Sequence, residues 1–78
     1  MNKIWISSYI KDLSIEHSIL SHYSIEQNKN NLEDCIGAII WHEKFPSDFS
    51  NFELVKAISR FGAGVDNIDL KFCYKNNI

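Results

Sequence analysis

The sequence lacks most of what marks a nucleic-acid binder, a membrane span or a metal centre. Eight Lys and Arg stand against ten Asp and Glu, a net charge of −2. The basic residues do not cluster, so the footprint of nucleic-acid binding is missing. No apolar run approaches the roughly 18 residues of a transmembrane helix. The opening MNKIWISSYIKD has a short apolar stretch broken by serines and no small-residue cleavage site, unlike a signal peptide. A cytoplasmic location without a membrane partner is expected. Cys35 and Cys73 form no CxxC pair, and His17, His22 and His42 no HExxH, so no metal site is expected. The two thiols read as reduced and buried, since free cysteine packs as a small hydrophobe. No GKS or GKT occurs, which excludes a P-loop.

What is present is ordinary globular material, 45% hydrophobic and 23% charged over 78 residues. That is one small domain at most, burying roughly 60–65% of its unfolded surface. KIWIS at 3–7 reads as a first strand. Ile15, Ile19 and Leu20 repeat at helical spacing behind Ser14 as an N-cap, predicting a helix over 14–22. YSIEQ at 23–27 reads as a weak second strand, and the polar 28–34 as a connection with room for a helical turn. CIGAII at 35–40 shows no alternation and reads as a strand buried on both faces, with Gly37 packed closely under a helix. Pro46 interrupts any strand beyond it. Strand four falls within 53–60. A last helix follows, capped by Asp66 or Asn67, with Asp69 in its first turn and Leu70, Cys73 and Tyr74 on one face. Such alternation implies βαβ units, a parallel α/β sheet of about four strands with flanking helices. A parallel edge after strand four needs a further strand, so the architecture reads as the first part of a domain.

SRFGAGVDNIDL at 59–70 is the one stretch with a chemical flavour. As a dinucleotide loop it has Gly62 and Gly64 but Asn67 at the third glycine position, and no acidic residue about 20 positions on. Two readings remain open. The glycines supply positive φ where strand four turns toward the last helix. Alternatively, backbone N–H groups near a helix N-terminus, aided by the dipole and by Arg60, hold a small carboxylate at the carboxyl end of a parallel strand.

LVKAISRFGAGVDNIDLKFCYKNNI at 54–78 resembles a segment of the D-isomer-specific 2-hydroxyacid dehydrogenases. The family pattern there is roughly L-K-x-I-x-R-x-G-x-G-x-D-N-I-D-L. Arg60, Gly62, Gly64, Asp66, Asn67, Asp69 and Leu70 match it. AIIWHEKF at 38–45 is similar to the end of the family's third strand, in the manner of D-3-phosphoglycerate dehydrogenases and especially of corepressor-like relatives, which carry an aromatic–His pair. Asn77 departs from the family's glycine, which weakens the helix stop.

The resemblance implies a flavodoxin-like substrate-binding domain made from both ends of a chain, with an inserted NAD-binding Rossmann domain and usually a homodimer. It implies that residues 1–78 are the N-terminal part of the substrate domain of a truncated enzyme. The cofactor domain and the family's catalytic Arg, Glu and His would lie in later parts, so this segment alone binds no NAD. The substrate class is a small 2-hydroxy or 2-keto acid. The backbone amides of Ala63, Gly64 and Val65 match the turn that holds its carboxylate, Arg60 an arginine beneath that turn, and Trp41 and His42 a loop lining the cleft. Plainer roles stand beside these: Arg60 paired with Asp66 or another nearby acid, Trp41 as a core-edge ring, His42 as an exposed residue. A stand-alone, non-catalytic binding module or a non-functional remnant is the alternative.

Overall fold

The computed structural model describes residues 2–62 and 64–78, apart from the side chains of Lys29 and Asn30. Four strands form one sheet: β1 (Lys3–Ile6), β2 (Ser24–Glu26), β3 (Cys35–Ile40) and β4 (Ala57–Arg60). Their order is β2-β1-β3-β4 and every pairing is parallel. This order, with its topological switch between β1 and β3, is that of the corresponding strands of a flavodoxin-like sheet. α1 (Ser14–Ile19) and a 3-10 helix (Lys29–Asp34) provide the crossovers, and α2 (Leu70–Lys75) follows β4.

Register explains the core. Trp5 pairs with Ala38, and Ala38 with Ile58, so these side chains share one face of the sheet. That face is covered by Leu32, Phe45, Val55 and Cys73, with Phe49, Phe52 and Phe72 packed against them. Phe45 is the hub, meeting Phe49, Phe52 and Phe72 at ring-centroid distances of 5.9, 5.2 and 6.0 Å. Trp5 meets Phe49 edge-on at 5.0 Å and donates its indole N–H to the Asn28 carbonyl at 3.0 Å. Buried side chains such as Leu32 and Ile40 each contribute roughly 1.5–3 kcal/mol relative to exposure.

The opposite face is only partly covered. Ile4, Gly37, Ile39, Ala57 and Ser59 line a shallow groove of about 230 Å³ beside Leu20, just past α1. The expectation that β3 is buried on both faces is therefore corrected. So is the helix over Gly37: a Cβ there would meet Ala57 O and Ile4 Cδ1 at 3.4 Å, both from neighbouring strands. α1 is shorter than the predicted 14–22, and Ser14 is not its cap; Leu13 stands at the N-cap, and Ser14 donates its N–H to Asp12 Oδ1. Ile15 and Ile19 are exposed, so their helical spacing does not mark a buried stripe.

α2 is capped by Asp69, whose Oδ1 accepts from Phe72 N at 3.0 Å. Asp66 and Asn67, the expected caps, lie too early. The helix buries Cys73 while Leu70 and Tyr74 are exposed. It ends with Asn77 at φ 57°. Ile78 N donates to Cys73 O at 2.9 Å and Asn77 N to Tyr74 O at 3.4 Å, the paired bonds of a Schellman stop. Asparagine tolerates this left-handed position second best to glycine, so the departure at 77 preserves the stop.

Candidate functional site

Segments leaving β1, β3 and β4 meet at the carboxyl edge of the sheet, where open α/β sheets bind ligands. β4 runs directly into the glycine turn. Gly62 sits at φ +119° and Gly64 at φ +81°, both in the region that favours glycine. A Cβ at Gly62 would stand 3.2 Å from Arg60 Nη1 and 3.9 Å from Trp41 Nε1, whereas one at Gly64 meets nothing within 4 Å. Gly62 is thus required by conformation and by space, and Gly64 by conformation alone. Among the described residues, neither Gly64 N nor Val65 N donates to a protein acceptor. Both residues are exposed.

Arg60 lies partly buried at the end of β4. Its Nε donates to Trp41 O at 3.2 Å and its Nη1 to Gly64 O at 3.4 Å. The guanidinium therefore ties the β3 exit to the turn and places a positive charge beside it. Trp41 is half-buried and His42 exposed. Their rings stack at 4.7 Å with planes 17° apart. Ala63 lies outside the described residues.

Three residues outside the site expected from sequence complete the edge. Glu43 is 5% exposed; its Oε2 accepts from Ser7 Oγ at 2.6 Å and its Oε1 from Trp41 N at 2.8 Å. Asn67, expected as a cap, instead donates Nδ2 to Trp41 O at 3.1 Å and to Glu43 O at 2.6 Å. The segment after the turn is thereby pinned to the β3 exit, assisted by the Phe45–Ile68 bridge. Tyr9, two residues past Ser7, meets His42 edge-on at 5.0 Å. An acidic residue two positions past an aromatic is the signal available for Glu43; nothing local marks its pairing with Ser7.

The turn is separated from α2 by residues 65–69, and the Asp69 carboxylate already caps that helix. The expected help from a helix dipole is therefore absent. The same geometry disagrees with a dinucleotide: a carboxylate occupies the place where a pyrophosphate would need helix N–H groups. Among the described residues, no group of three or more His, Cys, Asp or Glu is arranged to hold a metal. No helix of the described residues is long and apolar enough to cross a membrane.

Residues 6–78 match the family model for the D-isomer-specific 2-hydroxyacid dehydrogenase catalytic domain. The chain belongs to this family. Among solved structures it is similar to NAD+-bound 3-phosphoglycerate dehydrogenase of Entamoeba histolytica, with 26% identity and a TM-score of 0.77. That likeness covers 99% of this chain and 31% of the other, so these residues span less than a third of the relative. No curated protein matches the sequence. Family membership agrees with the resemblance carried by Arg60 to Leu70, and the parallel β2-β1-β3-β4 sheet agrees with the α/β expectation.

Proposed function

We propose that residues 1–78 form the N-terminal part of the substrate-binding domain of an NAD-dependent D-2-hydroxyacid dehydrogenase, and that their turn binds the carboxylate of a small 2-hydroxy or 2-keto acid. The observation that carries this reading is the exposed pair Gly64 and Val65, whose N–H groups have no acceptor among the described residues, on a positive-φ turn at the end of a parallel strand. Successive backbone donors of this kind make an anion-binding concavity. The Arg60 guanidinium favours negative charge there while holding the Gly64 carbonyl. Trp41 and His42 wall the adjoining space.

Bound NAD supplies the hydride chemistry that interconverts the 2-hydroxy and 2-keto acids, and it is held by residues outside this segment. The contribution of these residues is binding and orientation: fixing the carboxylate limits how the substrate presents its second carbon. Titrating the full 78-residue chain with pyruvate, followed by amide NMR, tests the reading. Saturable shifts centred on Gly64 and Val65, lost in Arg60→Met, are expected. Silence of those two amides at saturating pyruvate in a folded chain overturns it.

A further inference from the structure

The rings at the carboxyl edge form an unbroken path. Phe61 meets Trp41 at 4.8 Å, Trp41 stacks on His42 at 4.7 Å, and His42 meets Tyr9 at 5.0 Å. The path begins beside the turn, where Trp41 Nε1 faces Gly62. It ends at a cavity of about 300 Å³ lined by Ser8, Tyr9, Gln27, His42, Glu43 and Asp48. Three separate strand exits supply the four rings, so sheet order places them side by side. Tyr9 and Phe61 are 55% and 45% exposed, leaving ring surface available to a ligand.

We infer that this path is the subsite for the substrate side chain, and that the acid it selects carries an aromatic group. The inference rests on the carboxylate reading of the turn. The path starts within reach of Gly62, so its rings adjoin the space of a substrate anchored at the turn. Offset and edge-on contacts with them favour another ring. Charge argues against the alternative of a phosphorylated side chain. The cavity beyond His42 is lined by two carboxylates, Glu43 and Asp48, and among the described residues by no lysine or arginine. Phosphate recognition is strongest with Arg or Lys donors. Of the donors that do line the cavity, Gln27 Nε2 is already given to the Ser7 and Ile10 carbonyls, and Ser8 and His42 stand beside the two carboxylates. Glu43 accepts from Ser7 Oγ and Trp41 N, and Asp48 from Lys44 N, so neither carboxylate gives that space a donor for phosphate. Tyr9 is thereby a specificity-determining residue contributed by the β1 exit.

The full 78-residue chain is titrated with phenylpyruvate, pyruvate and 3-phosphoglycerate, reading Gly64 and Val65 amides together with the ring resonances of Tyr9 and His42. Phenylpyruvate is expected to bind about tenfold more tightly than pyruvate, which is ~1.4 kcal/mol and the scale of one aromatic contact. It shifts both rings, and 3-phosphoglycerate gains nothing over pyruvate. Tyr9→Ala brings phenylpyruvate down to the pyruvate level. Equal binding of phenylpyruvate and pyruvate, or preference for 3-phosphoglycerate, overturns the inference while pyruvate shifts at Gly64 keep the carboxylate turn standing. Absence of those pyruvate shifts removes the turn and the inference together.

Discussion

Ser7 and Glu43, 36 residues apart in sequence, share a 2.6 Å hydrogen bond from the Ser7 hydroxyl to Glu43 Oε2, with both residues buried. The bond joins the exits of β1 and β3 at the switch point. Truncation to Glu43→Ala leaves the Ser7 hydroxyl and the Trp41 N–H without their acceptor. A loss of about 1–3 kcal/mol is expected for such orphaned groups. Glu43→Gln keeps an oxygen in place and loses less. Urea denaturation of the two variants, with Ser7→Ala as the partner in a double-mutant cycle, checks the order. Strict additivity of the Ser7 and Glu43 effects would contradict a shared bond.

Asn67 offers both amide hydrogens to main-chain carbonyls at Trp41 and Glu43. Asn67→Asp replaces that donor with a carboxylate facing two carbonyl oxygens. Its cost exceeds that of Asn67→Leu, although aspartate is the closer isostere. Each is expected to lose roughly 1–3 kcal/mol, the aspartate at the upper end. Thermal melts above pH 7 measure the ordering, and it contracts on acidification as the introduced carboxylate takes up a proton and regains a donor.

The sheet is legible in the sequence because its signal is local. The continuous apolar run of β3 coincides with Cys35–Ile40, and the glycine pair falls where β4 ends. The cap of α2 is less so, since Asp66, Asn67 and Asp69 are all capable caps and only tertiary contacts decide. Those contacts take Asn67 to the β3 exit and leave the cap to Asp69. The polar pairing at the edge is not legible: Ser7 and Glu43 meet only because β1 and β3 lie side by side and both segments continue past the sheet, and nothing local marks one as the partner of the other. Ile15 and Ile19 mislead because a helical period says which residues share a face, not which face is covered.

Asn77 closes α2 in the left-handed region at φ 57°. Asn77→Ala places a Cβ there without asparagine's local compensation, at a cost of about 1 kcal/mol. Asn77→Gly is expected to be neutral or slightly stabilising, because glycine leads at this position. The far-UV signal and melting midpoint of the two variants bracket the natural chain if the Schellman bonds from Ile78 and Asn77 carry the stop.

Burial pushes the thiols of both Cys35 and Cys73 up, reinforced by the Glu26 charge at Cys35 and the Asp69 charge at Cys73. The folded chain therefore holds these protons to higher pH than the unfolded chain. Their contribution to stability is complete below the ordinary thiol value of 9.0 and is lost as pH rises through the folded values. Stability measured at pH 8 and pH 10 falls more in the natural chain than in Cys35→Ala/Cys73→Ala. Native alkylation of both thiols by iodoacetamide is slow and accelerates in urea. Rapid labelling of Cys35 in the folded chain at neutral pH would be inconsistent with its burial.

Gly62 and Gly64 differ in what they forbid. At Gly64 the φ of +81° is the whole constraint, with open space where a Cβ would go. Gly64→Ala is expected to cost about 1–2 kcal/mol from backbone conformation alone. At Gly62 the φ of +119° is farther from the left-handed well, and a Cβ presses on Arg60 Nη1 at 3.2 Å. Gly62→Ala therefore costs more and also displaces the guanidinium from Trp41 O and Gly64 O. The two substitutions separate stability from binding. Gly64→Ala lowers the denaturation midpoint modestly while Arg60 keeps its place beneath the turn. Gly62→Ala weakens pyruvate binding beyond its effect on stability, because the positive charge beside the Gly64 and Val65 amides moves away. Equal binding losses from the two, each matched to the stability loss, would show that Arg60 contributes no charge to the turn.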